Sequence, residues 1–91
     1  MENIIMAHFA RMVGNKVAEV IVIANSDCGG GDFPASEPVG QAFIADTLDL
    51  DGEWLQTSYS GSFRGIYAGP GYTYDSVADV FVGIPFVPPT Y

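Results

Sequence analysis

The sequence predicts a mainly β domain with one short helix, a β-rich α+β fold whose antiparallel hairpins form a small sheet, sandwich or barrel. Three observations predict it. Runs of β-branched and aromatic residues are punctuated by Gly, Asn, Asp and Pro turn signals. Only the stretch after Ser36-Glu37-Pro38 has a helical rhythm. The chain has 91 residues, 48% of them hydrophobic, enough for one core and too few for two. The organisation read from this is an N-terminal arm (1–6), a single β-rich domain (7–84) and an extended Pro-rich tail (85–91).

Each element has its own reason. Ala7 to Val13 alternates loosely, Gly14-Asn15 supplies a turn, and Lys16 to Ala24 is dense in Val and Ile, so the two form a hairpin. The unbroken Val20-Ile21-Val22-Ile23 run predicts a second strand covered on both faces. Asn25 to Pro38, rich in Gly, Pro, Ser and Asp, predicts a long loop. Ser36 or Glu37 suits a helix cap and Pro38 the first turn, and Val39, Ala42, Phe43 and Ile44 give an apolar face for a helix reaching about Leu48. At about ten residues such a helix is stable only when packed on the sheet. Glu53 to Tyr59 alternates as a strand, with Phe63 to Tyr67 as its predicted hairpin partner across Ser60-Gly61-Ser62. Tyr72 to Asp75 and Val80 to Ile84 read as a last pair of strands around a turn at Ser76–Asp79. Pro85, Pro88 and Pro89 then keep the tail out of any sheet interior.

Eleven acids against three bases (Arg11, Lys16 and Arg64) give a formal net charge of −8, which argues against nucleic acid or an anionic membrane as partner. Charged residues make up only 15% of the chain, against about 25% in an average domain, so much of the surface must be uncharged. A mean hydropathy of +0.23 excludes a disordered chain. The N-terminus lacks the basic and long apolar regions of a secretory signal, and the run Val20 to Asn25 is too short to span a bilayer. A soluble protein folded in the cytoplasm is the expectation. Asp27 to Glu37 and Asp46 to Glu53 are expected to carry the negative charge into solvent.

Little in the sequence points to catalysis. Cys28 is the lone cysteine, so no internal disulfide is possible, and no nearby His or Cys activates it; a free thiol is expected, with an intermolecular disulfide the alternative. Asp46, Asp49, Asp51 and Glu53 superficially suggest a calcium loop, but the twelve-residue ligand spacing is not met and a solvated acidic turn is the expectation. His8, the only histidine, sits in a predicted strand without a triad or metal-ligand pattern around it and reads as a packed structural residue. Gly29-Gly30-Gly31 lacks the Lys and Ser/Thr of a phosphate loop. Phe63, Tyr67, Tyr72 and Tyr74 around Arg64 could stack on single-stranded nucleic acid or sugar, but one arginine in so acidic a domain favours core and protein-contact roles, with Arg64 pairing an acid across a subunit boundary. No catalytic residue, cofactor or metal site is assigned, and a small hydrolase or metal-dependent enzyme is the weakest class.

Met6-Ala7-His8-Phe9-Ala10, Asn25 to Gly31, Trp54-Leu55-Gln56-Thr57-Ser58-Tyr59 and Phe63 to Asp75 together carry a resemblance. They resemble small structural proteins of tailed bacteriophages, over most of the chain from Met6 to Phe86. The most specific part is W-x-Q-T-S-Y followed by F-R-G-x-Y-A-G-x-G-Y-T-Y-D. The chain departs from that pattern by five residues before Met6 and by stopping at Val87-Pro88-Pro89-Thr90-Tyr91, where longer relatives continue. The resemblance implies a virion component, made in the host bacterial cytoplasm. The leading expectation is a decoration (cement) protein on the outer capsid, contacting the major capsid protein or itself as a homotrimer, with no nucleic acid or membrane partner. The alternative is a tail or head-fibre attachment module that contacts host surface glycans. The interface candidates are Phe63, Arg64, Tyr67, Tyr72, Tyr74, Phe86, Pro88 and Tyr91.

Overall fold

The computed structural model describes residues 6–83. Five antiparallel strands, β1 (Met6–Val13), β2 (Lys16–Ala24), β3 (Glu53–Thr57), β4 (Thr73–Asp75) and β5 (Val80–Val82), form one sheet in the order β3-β1-β2-β4-β5. One α-helix, α1 (Ser36–Asp46), lies against it, preceded by a 3₁₀ turn at Asn25–Cys28 within the predicted loop. The predicted fold class therefore holds, in its single-sheet form. The β1–β2 hairpin turns at Gly14-Asn15 as the sequence predicts, with Val13 opposite Lys16.

The strand buried most completely on both faces is β1; β2 sets Ile21 and Ile23 on the helix side and Val17 and Val20 on the other, but less fully. Flanked by β3 and β2, β1 buries Ala7 and Phe9 on one face and Ala10 and Met12 on the other. In β2, Val22 remains 48% exposed, so its apolar run exceeds what the fold covers. A register shift between Arg11 and Met12 sets Val17 opposite Met12. Without that shift Ala18 would face Met12, and the larger Val17 would turn to the opposite face.

On the helix side, Ala7, Phe9, Ile23, Cys28, Ile44 and Trp54 form one core cluster. Complete burial of Phe9 contributes about 1.5–3 kcal/mol relative to exposure. The helix seats its Ser36, Gly40 and Ile44 stripe on the sheet, whereas Val39 of the predicted apolar face stays 44% exposed. Gly40 explains the choice. A Cβ there would lie 2.2 Å from Phe9 Cζ, so only glycine lets the helix approach this closely. Nor does Ser36 or Glu37 cap the helix. Ala35 occupies the cap position without a side-chain bond, while the Ser36 and Glu37 N–H groups donate to the carbonyls of Asp32 and Pro34. The helix ends at Asp46, two residues before the predicted limit at Leu48, which is exposed.

The opposite face is covered without a second layer of regular structure. Ala10, Met12, Val17, Ala68 and Phe81 form the second cluster, joined by Val20, Leu55, Tyr72 and Tyr74. The irregular segment around Ala68 is pinned there, its N–H donating to Thr57 Oγ1 at 2.9 Å. Here lies the main correction to the predicted topology. Phe63–Tyr67 forms no strand with β3; its one ladder contact is a parallel bridge from Gly65 to Phe81, and β3 pairs with β1 instead. Left-handed backbone at Gly61, Arg64 and Gly65 stops the segment from extending. The β4–β5 hairpin forms as predicted, with Tyr74 opposite Phe81.

Candidate functional site

Two groupings of polar and aromatic side chains stand out, both attached to β3. The first centres on Arg64, whose side chain is only 9% exposed. Its Nη1 and Nη2 engage both carboxylate oxygens of Glu37, with Nη2 3.1 Å from Oε1, and Nη1 also donates to the Gln56 carbonyl at 3.0 Å. Its Nε donates to Asp79 Oδ1 at 2.8 Å, and the Tyr74 hydroxyl donates to that same oxygen. The guanidinium carbon lies 4.9 Å from the Phe33 ring centre and 5.6 Å from that of Tyr74, within cation–π range of both. Burial works against the charge on Arg64, but the bonds to Glu37 and Asp79 outweigh it and hold the pKa above its ordinary value. Asp79 is held below the usual carboxylate range by the hydrogen bonds from Tyr74 and Arg64. Burial and the bond to Asp79 push the Tyr74 hydroxyl up.

This knot also seals a sheet edge. Antiparallel pairing with β1 leaves the backbone groups of Trp54 and Gln56 on the far side of β3 without a strand partner. Side chains fill those positions: Gln41 Nε2 donates to the Trp54 carbonyl at 2.6 Å, Gln56 N–H donates to Glu37 Oε2 at 2.8 Å, and Arg64 serves the Gln56 carbonyl. The Arg64 carbonyl accepts from Phe81 N–H of β5 at 2.9 Å. One residue thus ties the helix start and both outer strands together, and blocks the edge through which another strand could add. Both acids that pair with Arg64 here, Glu37 and Asp79, belong to its own chain. Glu37 likewise leaves the solvent-facing acidic group, with 16% of its side chain exposed. Asp27, Asp32, Asp46, Asp49, Asp51 and Glu53 do face solvent.

The second grouping is an open groove of about 600 Å³ where β1 begins and β3 ends. Tyr59 stacks on His8 with ring centres 5.6 Å apart and planes at 28°, and Tyr67 meets both edge-on, at 5.2 Å from Tyr59 and 5.4 Å from His8. Tyr59 is nonetheless 74% exposed. Ser58, Ser60 and Ser62 follow as a chain of hydroxyls, 3.2 and 2.6 Å apart, locked by Ser62 N–H donating to Ser58 Oγ at 2.9 Å. Phe33 and Phe63, stacked in parallel at 4.0 Å, close one wall beside Ser36, whose hydroxyl donates to Gln56 Oε1 at 2.7 Å. Asn25 and Asp32 line the same groove. Partial burial lowers the His8 pKa, which favours neutral imidazole at physiological pH. Burial, with Tyr59 adding to it, raises the Tyr67 pKa.

The sequence-predicted interface residues thus divide. Arg64 and Tyr74 belong to the knot, Phe63 lines the groove, Tyr67 packs edge-on against its His8 and Tyr59, and Tyr72 packs against the second core cluster. Phe86, Pro88 and Tyr91 lie outside the described residues. Cys28 is a buried free thiol, its pKa raised by burial and by Asp27. Sequence reasoning missed Glu37, Asp79 and Phe33 as partners of Arg64, and Tyr59 as the exposed ring beside His8. Among the described residues no group of three His, Cys, Asp or Glu side chains is arranged to hold a metal ion, and no helix is long and apolar enough to cross a membrane. In comparisons with known proteins, no family model, curated protein or solved structure matches the chain.

Proposed function

We propose that the protein is a structural component of a tailed-bacteriophage virion, a decoration protein that binds the outer capsid surface and stabilises contacts between capsomers. The observation carrying this reading is where the motif residues fall. Trp54 lies in the core, Gln56 and Arg64 share the edge-sealing knot, Thr57 anchors Ala68, and Tyr72 and Tyr74 pack on the second cluster. The segments that resemble phage structural proteins therefore contribute scaffold contacts, as expected of an assembly module rather than a reaction centre. Exposed Val13, Val22, Ile66, Val77 and Val82 supply uncharged contact surface. The partners in this reading are the major capsid protein and other copies of the chain, with a trimer at a local three-fold axis as the symmetric arrangement.

Cryo-electron microscopy of purified particles tests it. Density matching this fold on the capsid shell is the expected result; density confined to the tail or its fibres overturns the capsid assignment. That second outcome would support an attachment module, a reading favoured by one observation, the exposed Tyr59 ring on the groove.

A further inference from the structure

We propose that the groove between the starts of β1 and α1 and the exit of β3 is a binding site for a neutral saccharide. The proposal concerns the isolated protein and stands whether the particle position is capsid or tail. Its first support is Tyr59. His8 supports one face of this ring at 5.6 Å, and the tyrosine remains 74% exposed, so the opposite face is a prepared apolar platform. An apolar platform of that size with a polar margin suits the C–H face of a pyranose, which is apolar in patches and ringed by hydroxyls.

The second support is the margin itself. Ser60 and Ser62 are exposed hydroxyls held 2.6 Å apart, and each can donate or accept. Asn25 and Asp32 lie on the same groove and add an amide and a carboxylate. Neighbouring sugar hydroxyls need this mixture of donors and acceptors.

The third support is charge and edge geometry, which remove competing ligands. None of Arg11, Lys16 and Arg64 lines the groove, whereas Asp32 does, so among the described residues phosphate, sulfate and uronate groups meet no lysine or arginine and one like charge. Nucleotides and acidic glycans are disfavoured accordingly. An extended peptide would need a free strand edge, and the β3 edge beside the groove is filled by Gln41, Glu37 and Arg64.

The test is titration of the isotope-labelled full chain with cellobiose, maltose and N,N′-diacetylchitobiose in turn, followed by amide chemical shifts. The expected result is millimolar binding of at least one of them, with shifts concentrated at His8, Asn25 and Tyr59–Ser62. The Tyr59→Ala variant should bind that sugar about tenfold more weakly, the scale of one lost aromatic contact, and glucuronic acid should bind more weakly than glucose. No shift with any of the three disaccharides overturns the proposal. So do shifts centred elsewhere, or binding that survives Tyr59→Ala unchanged.

Discussion

The Arg64 knot and the His8–Tyr59 groove both hang on β3, yet they use polar groups in opposite ways. In the knot every charged group has a charged partner: Arg64 meets both Glu37 and Asp79, and two backbone carbonyls complete the pattern, one accepting from its guanidinium and its own accepting from β5. In the groove the hydroxyls bond mainly to one another, and the Tyr59 ring faces solvent. The knot is therefore architecture that spends its polarity internally, and the groove is surface whose hydrogen bonds can be exchanged for a ligand's. A cation that could have been exposed is drawn inside, together with Glu37, one of the acids.

The comparison breaks most visibly at Arg64. Replacing it with methionine leaves the Glu37 carboxylate partly buried and unpaired, a loss of about 3 kcal/mol. Arg64→Lys should recover only part of that stability, because a single ammonium cannot serve two carboxylates and a carbonyl in the guanidinium's fixed fork. Urea denaturation measures both. Since the methionine also uncovers the Gln56 carbonyl on β3, sedimentation should show the variant forming larger species than the parent chain at the same concentration. A loss below about 1 kcal/mol would mean that the knot is an ordinary surface pair and that its contrast with the groove is false.

Asp79 sharpens the contrast by pH and with a smaller effect. Its folded pKa is depressed, so its contribution is fully present above the ordinary aspartate value of about 4 and is lost as pH falls through the lower folded value. Its side chain is 53% exposed, and solvent screening keeps that contribution to at most about 1 kcal/mol. Asp79→Asn should lower stability at neutral pH and flatten the acid limb of a melting-temperature profile below about pH 4. A variant whose acid limb matches the parent's would place the depressed carboxylate elsewhere. Asp79 also has left-handed backbone, as does Arg64, so two strained turn residues face each other across the ion pair.

Much of this architecture was legible in local pattern and little of it in pairing. Gly14-Asn15 between two β-branched runs gave the first hairpin because turn chemistry and alternation act within a few residues. The helix after Ser36 and the β4–β5 hairpin were legible for the same reason. The partner of β3 was not. Phe63–Tyr67 looks extended by composition, but Arg64 has positive φ and its side chain meets Glu37 and Asp79, 27 and 15 residues away, contacts that no local pattern announces. Gly40 has the same character: its neighbours in sequence suggested Val39 for the buried stripe, and only the approach of Phe9 selects glycine. Aromatic content near Arg64 did point towards the right segment. It could not say that Tyr74 would be tied to Asp79 while Tyr59, left out of the predicted set, would stand exposed beside His8.

The smallest expected effect is the most discriminating. Tyr59 touches His8 and Tyr67 at its ring but is mostly solvated, so Tyr59→Ala should change unfolding free energy by no more than about 0.5 kcal/mol. Removing the ring also opens His8 to water. The depressed His8 pKa, caused by burial, should then rise towards its ordinary value of about 6.5, visible in the imidazole shifts of a pH titration. In the parent chain that depression means stability is full above the ordinary value and declines as pH falls through the lower folded value; the variant should lose this slope. A stability loss of about 2 kcal/mol or more would make Tyr59 a packing residue like those of the two cores, and the groove would then belong to the architecture rather than stand apart from it.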